Sequence, residues 1–432
     1  MTDLLTVAEA ARRLGVKPAT LYAYVSRGTL RRKRAADGRT SLFDAEEIEQ
    51  LARRGRPRRP AGVLDITVES TITEIAGGRL RYRGHDAIEL AAAASSGHVS
   101  FEDVAELLWT GELPGGGRRG DGPPGGGRPE WRAPEAALAA GRGVQGVLPP
   151  DLLPLERMQV IVPAMGVTDP LRLHLDRPAV AAAGRSIIVG LVECLPPRAE
   201  SPAESPAESP AEAAGAPADV PLAERLWTRL SACHPSRPML GVLSAALVLL
   251  ADHELAASTL AARTAASARA DPYAVVSAGM GAMSGILHGG ASLAVETLLS
   301  AVRDPAEAPG VVGELLRRGE RVPGFGHKVY KGEDPRGRLL LDLVRRAGPK
   351  SRPLAVTDAI ITEVRRKSLP EFNIDLALGT FVTAAGLTRG AGEAIFAVAR
   401  TAGWIAHALE AYETGTILRP RASYTGPVDT AS

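Results

Sequence analysis

Three of the chain's eight histidines fall in separate short motifs: Asp252-His253-Glu254, Leu287-His288-Gly289-Gly290-Ala291 and Gly324-Phe325-Gly326-His327. Asp375 follows in Asn373-Ile374-Asp375. Together they offer a general base and two or three neutral hydrogen-bond donors, the set that carbanion chemistry beside a carbonyl requires. Core packing gives no reason for a histidine in any of these segments. His85, His98, His174, His234 and His407 instead read as ordinary core or surface residues. Asp252-His253-Glu254 also sets three metal-ligand types side by side. Consecutive helical residues point in different directions, however, and no HExxH spacing occurs, so no metal is expected. Gly279 to Gly285 lacks the strand and the GxGxxG spacing of a dinucleotide loop, and close helix packing explains it better.

Such groups need a scaffold, and from about residue 85 nearly every periodic segment is helical, rich in Ala and Leu and poor in aromatics. The body is therefore expected to be mostly α. His288 stands just before Gly289-Gly290-Ala291-Ser292, which can open a helix over Leu293 to Leu299, and a helix N-terminus disfavours a cationic imidazole. Asp65 to Arg81 alternates with period two around Gly77-Gly78 and predicts a short hairpin. Two insertions, near 115–128 (Gly, Pro and Arg) and near 197–218 (repeated Ser-Pro-Ala-Glu), cannot bury a face and are expected to be solvated loops.

At 432 residues the chain can form two or three domains with a sizeable core. No run approaches the apolar length of a membrane span, and Met1-Thr2-Asp3 does not begin a signal peptide, so a soluble, cytoplasmic protein is expected. Cys194 and Cys233 alone make neither a disulfide framework nor a zinc site. Charge is uneven: residues 1–60 hold 14 Lys or Arg against 7 Asp or Glu, leaving 37 against 42 for the rest of the 51 and 49. A basic head is thus joined to an acidic body.

Within the head, Thr6-Val7-Ala8-Glu9 has the spacing of a capping box, and Ala8, Ala11 and Leu14 form an apolar stripe that stops at Gly15. Pro18 suits the first turn of a second helix running to Gly28. Arg31 to Phe43 reads as a basic hairpin or wing, and Asp44 can cap a third helix, Ala45 to Arg54. Residues 1–55 resemble a MerR or excisionase type of winged helix-turn-helix, which implies possible DNA binding through the second helix. Phosphate contacts would come from Lys17, Arg27 and Arg31 to Arg34, with base readout near Thr20 and Tyr24. Residues 56–62 read as a basic linker, and 63–432 as the helical body that carries the histidine motifs.

From Leu249 to Leu255, on through Ser258-Thr259, Arg263, Ser267 and Asp271-Pro272-Tyr273, the chain resembles the citrate synthase family. The likeness continues in order through His288 to Ala291, Pro323 to Lys331, Asp334-Pro335-Arg336, Asn373-Ile374-Asp375, Ala397 to Thr401, Arg419-Pro420-Arg421 and Tyr424-Thr425-Gly426, covering roughly residues 62–427. It implies a large and a small helical domain, the small one over approximately 270–380, and a homodimer. It also implies a Claisen condensation of acetyl-CoA with oxaloacetate, followed by hydrolysis of the thioester to citrate and CoA, with no cofactor. Asp375 would be the base, His288 the donor to the enolate, and His327 the group that polarises and protonates the oxo-acid carbonyl. His253, Arg336, Arg400 and Arg419 would bind the oxo-acid, with Arg419 coming from the second subunit, because guanidinium forks pair bidentately with carboxylates. Lys331 would lie near the coenzyme A phosphates. Ala256 and Phe372 depart from the family's usual Asn and Pro, which leaves propionyl-CoA, giving 2-methylcitrate, as a close variant. A further alternative is a DNA-binding regulator that keeps the body as a metabolite sensor.

Overall fold

A computed structural model describes residues 4–14, 21, 25, 30–35, 40–45, 47–48, 68–114, 129–198 and 220–422. They divide into two compact units, Met1–Glu69 and Ser70–Ser432.

In the first unit β1 (Leu4–Thr6) leads directly into α1 (Val7–Leu14), and β2 (Lys33–Arg34) and β3 (Ser41–Asp44) complete a small antiparallel sheet of order β1-β3-β2. The capping box forms as the spacing predicts. Thr6 N–H donates to Glu9 Oε2 (2.9 Å) and Glu9 N–H to Thr6 Oγ1 (3.4 Å). The buried face of α1 carries Ala10 and Ala11, while Ala8 is exposed. That corrects the expected stripe: counting from Val7, the inward positions are i+3 and i+4. The basic hairpin is present, with Lys33 opposite Leu42 and Arg34 opposite Ser41. Leu5, Leu21, Leu30, Phe43 and Ile48 form this unit's own core with the two alanines. Strand β1 was not foreseen, because three residues carry too little periodicity to read. Most of the expected Pro18–Gly28 helix, most of Ala45–Arg54 and the whole linker lie outside the described residues, as do 115–128, 199–218 and Tyr424-Thr425-Gly426.

The second unit opens with a meander of β4 (Thr73–Ala76), β5 (Arg79–Tyr82) and β6 (His85–Asp86), turning at Gly77-Gly78 as expected. The rest is helical: α2 (Ala87–Ser95), α3 (Phe101–Thr110), α4 (Glu135–Gly143), α5 (Pro154–Gly166), α6 (Arg177–Glu193), α7 (Leu222–Leu230) and α8 (Arg237–Leu250). Then follow α9 (Ala257–Ser267), α10 (Pro272–Met283), α11 (Gly290–Ala301), α12 (Ala308–Arg317), α13 (Pro335–Ala347), α14 (Arg352–Arg366), α15 (Ile374–Ala384) and α16 (Ala391–Thr414).

Helix α16 is apolar all round except at a few positions, and it is the axis of the core, packed by α3, α5, α6, α8, α9 and α10. Buried hydrophobic area on this scale drives the fold at about 25 cal/mol per Å². Helices α11 to α15 pack on one another: α13 and α11 on α15, α14 on α12 and on α15. They meet the α16 group where α13 touches α8 and where α11 and α15 touch α16. Among the described residues no helix is long and apolar enough to cross a membrane.

Candidate active site

Two loops of the α11–α15 group are laced together. Gly324 (φ +80°) and Gly326 (φ +85°) take the left-handed conformation that side chains disfavour. This lets the 324–327 strip lie against 371–373. Gly326 N–H donates to Glu371 O (2.8 Å), and Asn373 N–H to Gly324 O (2.9 Å). The Asn373 side chain then works in both directions. Its Nδ2 donates to Gly326 O (2.9 Å), while Oδ1 accepts from the N–H groups of Asp375 (3.0 Å) and Leu376 (3.4 Å), capping α15. His327 and Asp375 are thereby held from the two ends of one short lace.

Asp334 does a similar job for Arg336. Its Oδ1 caps α13 by accepting from Arg336 N–H (3.1 Å), and its two oxygens take the Arg336 guanidinium at 3.0 and 2.8 Å. Oδ2 also accepts from Ile374 N–H (3.1 Å), so α13 is fixed to the start of α15. Both partners are almost fully buried. In such surroundings removing one partner alone costs about 3–5 kcal/mol. The neighbouring Arg336 guanidinium outweighs burial and holds the Asp334 carboxyl below the usual range.

Around Arg336 stand His327, Tyr330 and His253. The His327 and Tyr330 ring centres are 4.8 Å apart, His253 to His327 5.3 Å, and His253 to Tyr330 5.7 Å. The Arg336 guanidinium lies 5.5 Å over the Tyr330 ring, and Tyr330 Oη is 3.3 Å from His253 Nε2. His327 Nδ1 accepts from the N–H groups of Val329 (3.0 Å) and Tyr330 (3.2 Å), while the donor Arg336 Nη2 stands 3.4 Å from Nε2; the two shorter backbone contacts favour the proton on Nε2. Burial first, and Arg336 next, push His327 down to about 4; the same two causes, in the same order, put His253 well below its ordinary value. Both imidazoles are neutral near pH 7.

His288 sits at the mouth of α11, with Gly289 as its cap. Ser258 Oγ is 2.7 Å from His288 Nε2, and the ring meets Phe396 edge-on at 5.7 Å. Burial leads in pushing it down to about 4, and the Arg400 charge adds to this. The neutral state expected from a helix end is therefore found, with burial as its main cause. Arg400 stacks 4.7 Å over Phe396, donates from Nε to Leu250 O (2.8 Å), and leaves Nη1 buried without a partner. Asp375, partly exposed, is raised to about 7 by loss of hydration, which prevails over the lowering by Arg336 and Arg400.

The run 252–254 is a corner after α8 and not a helical segment as assumed from the sequence. Its side chains still diverge: Asp252 toward His407 (3.4 Å), His253 toward Tyr330, and Glu254 to Ile75 N–H (2.9 Å). His253, His288, His327, Asp375, Arg336 and Arg400 are thus brought into mutual electrostatic or direct contact. Lys331 is exposed one residue beyond Tyr330, and Arg419 is exposed on the segment after α16; the structure gives neither a contact with this cluster. Sequence reasoning assigned no role to Tyr330, Asp334, Ser258 and Phe396. The first three lay inside motifs already singled out, and Phe396 is one helical turn before Arg400.

Known proteins resemble the chain along most of its length. The family described as citrate synthase, C-terminal domain, matches residues 62–421, and a helix-turn-helix domain matches residues 4–56. The citrate synthase of Haloferax volcanii is 32% identical over 380 residues, covering 84% of this chain and 94% of that protein. A 2-methylcitrate synthase of Mycobacterium tuberculosis is 29% identical over 380 residues, covering 86% and 91%. The crystal structure of citrate synthase from Thermotoga maritima superposes with a TM-score of 0.64 at 24% identity, over 85% of this chain and 96% of that one, which supports the fold. With the family matched along most of its length, the chain belongs to the citrate synthase family of acyltransferases.

Proposed function

We propose that the body condenses a short acyl-CoA with oxaloacetate and hydrolyses the resulting thioester, acting as a citrate synthase. The observation that carries this reading is Arg400. It is 1% exposed, its Nη1 has no partner, and among the described residues no carboxylate lies within ion-pair distance of it. A buried cation left this way is destabilising by several kcal/mol unless an anion arrives. With Arg336 nearby, a dicarboxylate fits that need, and His253 adds a neutral donor. Arg419, exposed after α16, would complete the clamp from a second copy in a homodimer, and Lys331 would meet the coenzyme A phosphates.

The chemistry follows from where the protons sit. Asp375 takes the α-proton of the acyl thioester, and its raised affinity for a proton matches a base working near neutrality. We assign the Ser258 hydroxyl, 2.7 Å from Nε2, as the donor, which leaves the His288 proton on Nδ1 to be donated to the enolate oxygen. The enol carbon attacks the oxo-acid carbonyl, whose oxygen receives the His327 Nε2 proton. Water then cleaves the thioester to release CoA. Release of free thiol from acetyl-CoA, dependent on oxaloacetate, tests this. No turnover with acetyl-CoA or propionyl-CoA would overturn it. Comparing the two also decides between citrate and 2-methylcitrate, where one methylene is worth about 1–3 kcal/mol.

The helix-turn-helix match and the basic head favour a second reading alongside the first, in which residues 1–55 bind duplex DNA. Such binding must weaken steeply with salt. Retained DNA binding together with absent turnover would instead favour the metabolite-sensing regulator.

A further inference from the structure

The corner that carries His253 is fastened to one face of α16 by three successive contacts. Arg400 Nε donates to Leu250 O (2.8 Å), Gly403 N–H to Ala251 O (3.0 Å), and His407 faces Asp252 Oδ2 (3.4 Å). Positions 400, 403 and 407 share a face of the helix. Gly403 is needed there, because a Cβ would overlap Asp252 Oδ1 and sit 2.5 Å from Ala251 O. From the other side Tyr82 Oη donates within reach of the carbonyls of Val248 (3.1 Å) and Asp252 (3.1 Å).

Behind His407 the polar chain continues to the surface. Arg263 Nη1 donates to His407 Nδ1 (3.0 Å) and to Glu410 Oε2 (2.5 Å), and Glu410 Oε1 accepts from Thr71 N–H (2.9 Å). Because Nδ1 accepts, the His407 proton is on Nε2, toward Asp252. Asp252 is fully buried, and its charge is among those that support Arg400 against desolvation.

We propose that His407, through Asp252, is a positioning residue for oxo-acid binding: the Asp252–His407–Arg263–Glu410 chain fixes Arg400 and His253 relative to each other before the substrate arrives. The proposal rests on the acyltransferase reading above, and it goes further by assigning a role to a histidine that touches no substrate. A buried carboxylate is held in one orientation only while its donor is present. Without His407, Asp252 turns or takes up a proton. The corner then loosens on α16, and the two oxo-acid ligands it aligns drift apart. Asp375 and His288 belong to other elements, so the proton-transfer step is spared.

The test compares His407→Leu with His407→Gln in the full chain. Leu fills the space without polar atoms. Gln restores an amide donor toward Asp252 and a carbonyl toward Arg263. Expected are a KM for oxaloacetate raised about tenfold or more in the Leu variant, kcat and the acyl-CoA KM within about threefold of wild type, and recovery of the oxaloacetate KM by Gln. Calorimetric titration of oxaloacetate should show the same order of affinities. An unchanged oxaloacetate KM in a folded Leu variant overturns the proposal, as does a parallel loss of kcat that tracks thermal stability, or a Gln variant no better than Leu. Should the Leu variant fail to fold, Glu410→Gln at the far end of the chain is measured instead, with a smaller rise in the same KM expected and no rise counting against the proposal. Wild-type protein that neither binds nor turns over oxaloacetate would remove the acyltransferase reading itself, and this role with it.

Discussion

Asn373 Nδ2 donates to the Gly326 carbonyl at 2.9 Å while Oδ1 of the same side chain caps the helix that begins with Ile374-Asp375. One amide thus spaces the loop ending at His327 from the carboxyl of Asp375, groups 48 positions apart along the chain. Asn373→Ala loses the cap, worth about 0.5–2 kcal/mol, and the cross-link together. The expected result is a modest drop in melting temperature and a fall in kcat of about tenfold or more, with a smaller loss of oxaloacetate affinity because Arg336 keeps both oxygens of Asp334 and Arg400 its bond to Leu250 O. A kcat that stays at the wild-type level would show that this spacing does not limit the reaction.

Arg336→Lys should weaken oxaloacetate binding by about tenfold to a hundredfold. The guanidinium spends Nε and Nη2 on the two oxygens of Asp334 and leaves Nη1 free of that pair, while an ammonium cannot serve both Asp334 and a substrate carboxylate. Calorimetry with oxaloacetate alone reads this without turnover. Equal affinity in the two proteins would place the carboxylate clamp elsewhere.

The sequence carried the residues of this site better than their surroundings. His253, His288, His327, Asp375, Arg336 and Arg400 were readable because short motifs keep chemical groups at fixed local spacing. The long-range partners were not: Ser258 reaches His288 across 30 positions, and His407 reaches Asp252 across 155, distances at which no periodicity operates. His407 read as an ordinary core histidine, and its burial agrees; only its partners in the fold give it a further role. The helical body was legible from its apolar spacing. The run 252–254 was taken as helical like the body around it, and the docking of that corner on α16 overrides the expectation.

Ser258→Ala removes the hydroxyl 2.7 Å from His288 Nε2. The imidazole is then free to place its proton on either nitrogen, and the donor to the enolate is present only part of the time. We expect kcat to fall about tenfold to a hundredfold with the oxaloacetate KM little changed. Exchange of the acetyl-CoA methyl protons with deuterated solvent, driven by an unreactive oxo-acid analogue, should slow to the same extent. Exchange at the wild-type rate would separate His288 from the enolisation step.

Asp375 gives a prediction in two opposite directions. Its carboxyl is raised from 3.8 to about 7, chiefly by loss of hydration. As a base it works only when ionised, so kcat/KM should fall as pH drops through about 7, while His288 and His327 stay neutral until about 4. For stability the sign reverses. A group that binds its proton more tightly when folded favours the fold below the unfolded value, and loses that contribution as pH rises toward the folded one. At pH 8 the ionised carboxylate is therefore a burden on the native state, on the order of 1–3 kcal/mol once its partial exposure is allowed for. Asp375→Asn should abolish condensation, leave oxaloacetate binding nearly intact, and raise the melting temperature at pH 8 with no gain below pH 4. A variant that keeps substantial turnover removes Asp375 from the role of base. One that is less stable at pH 8 shows that the carboxylate is paired in the folded protein, and that its proton affinity is not set by burial.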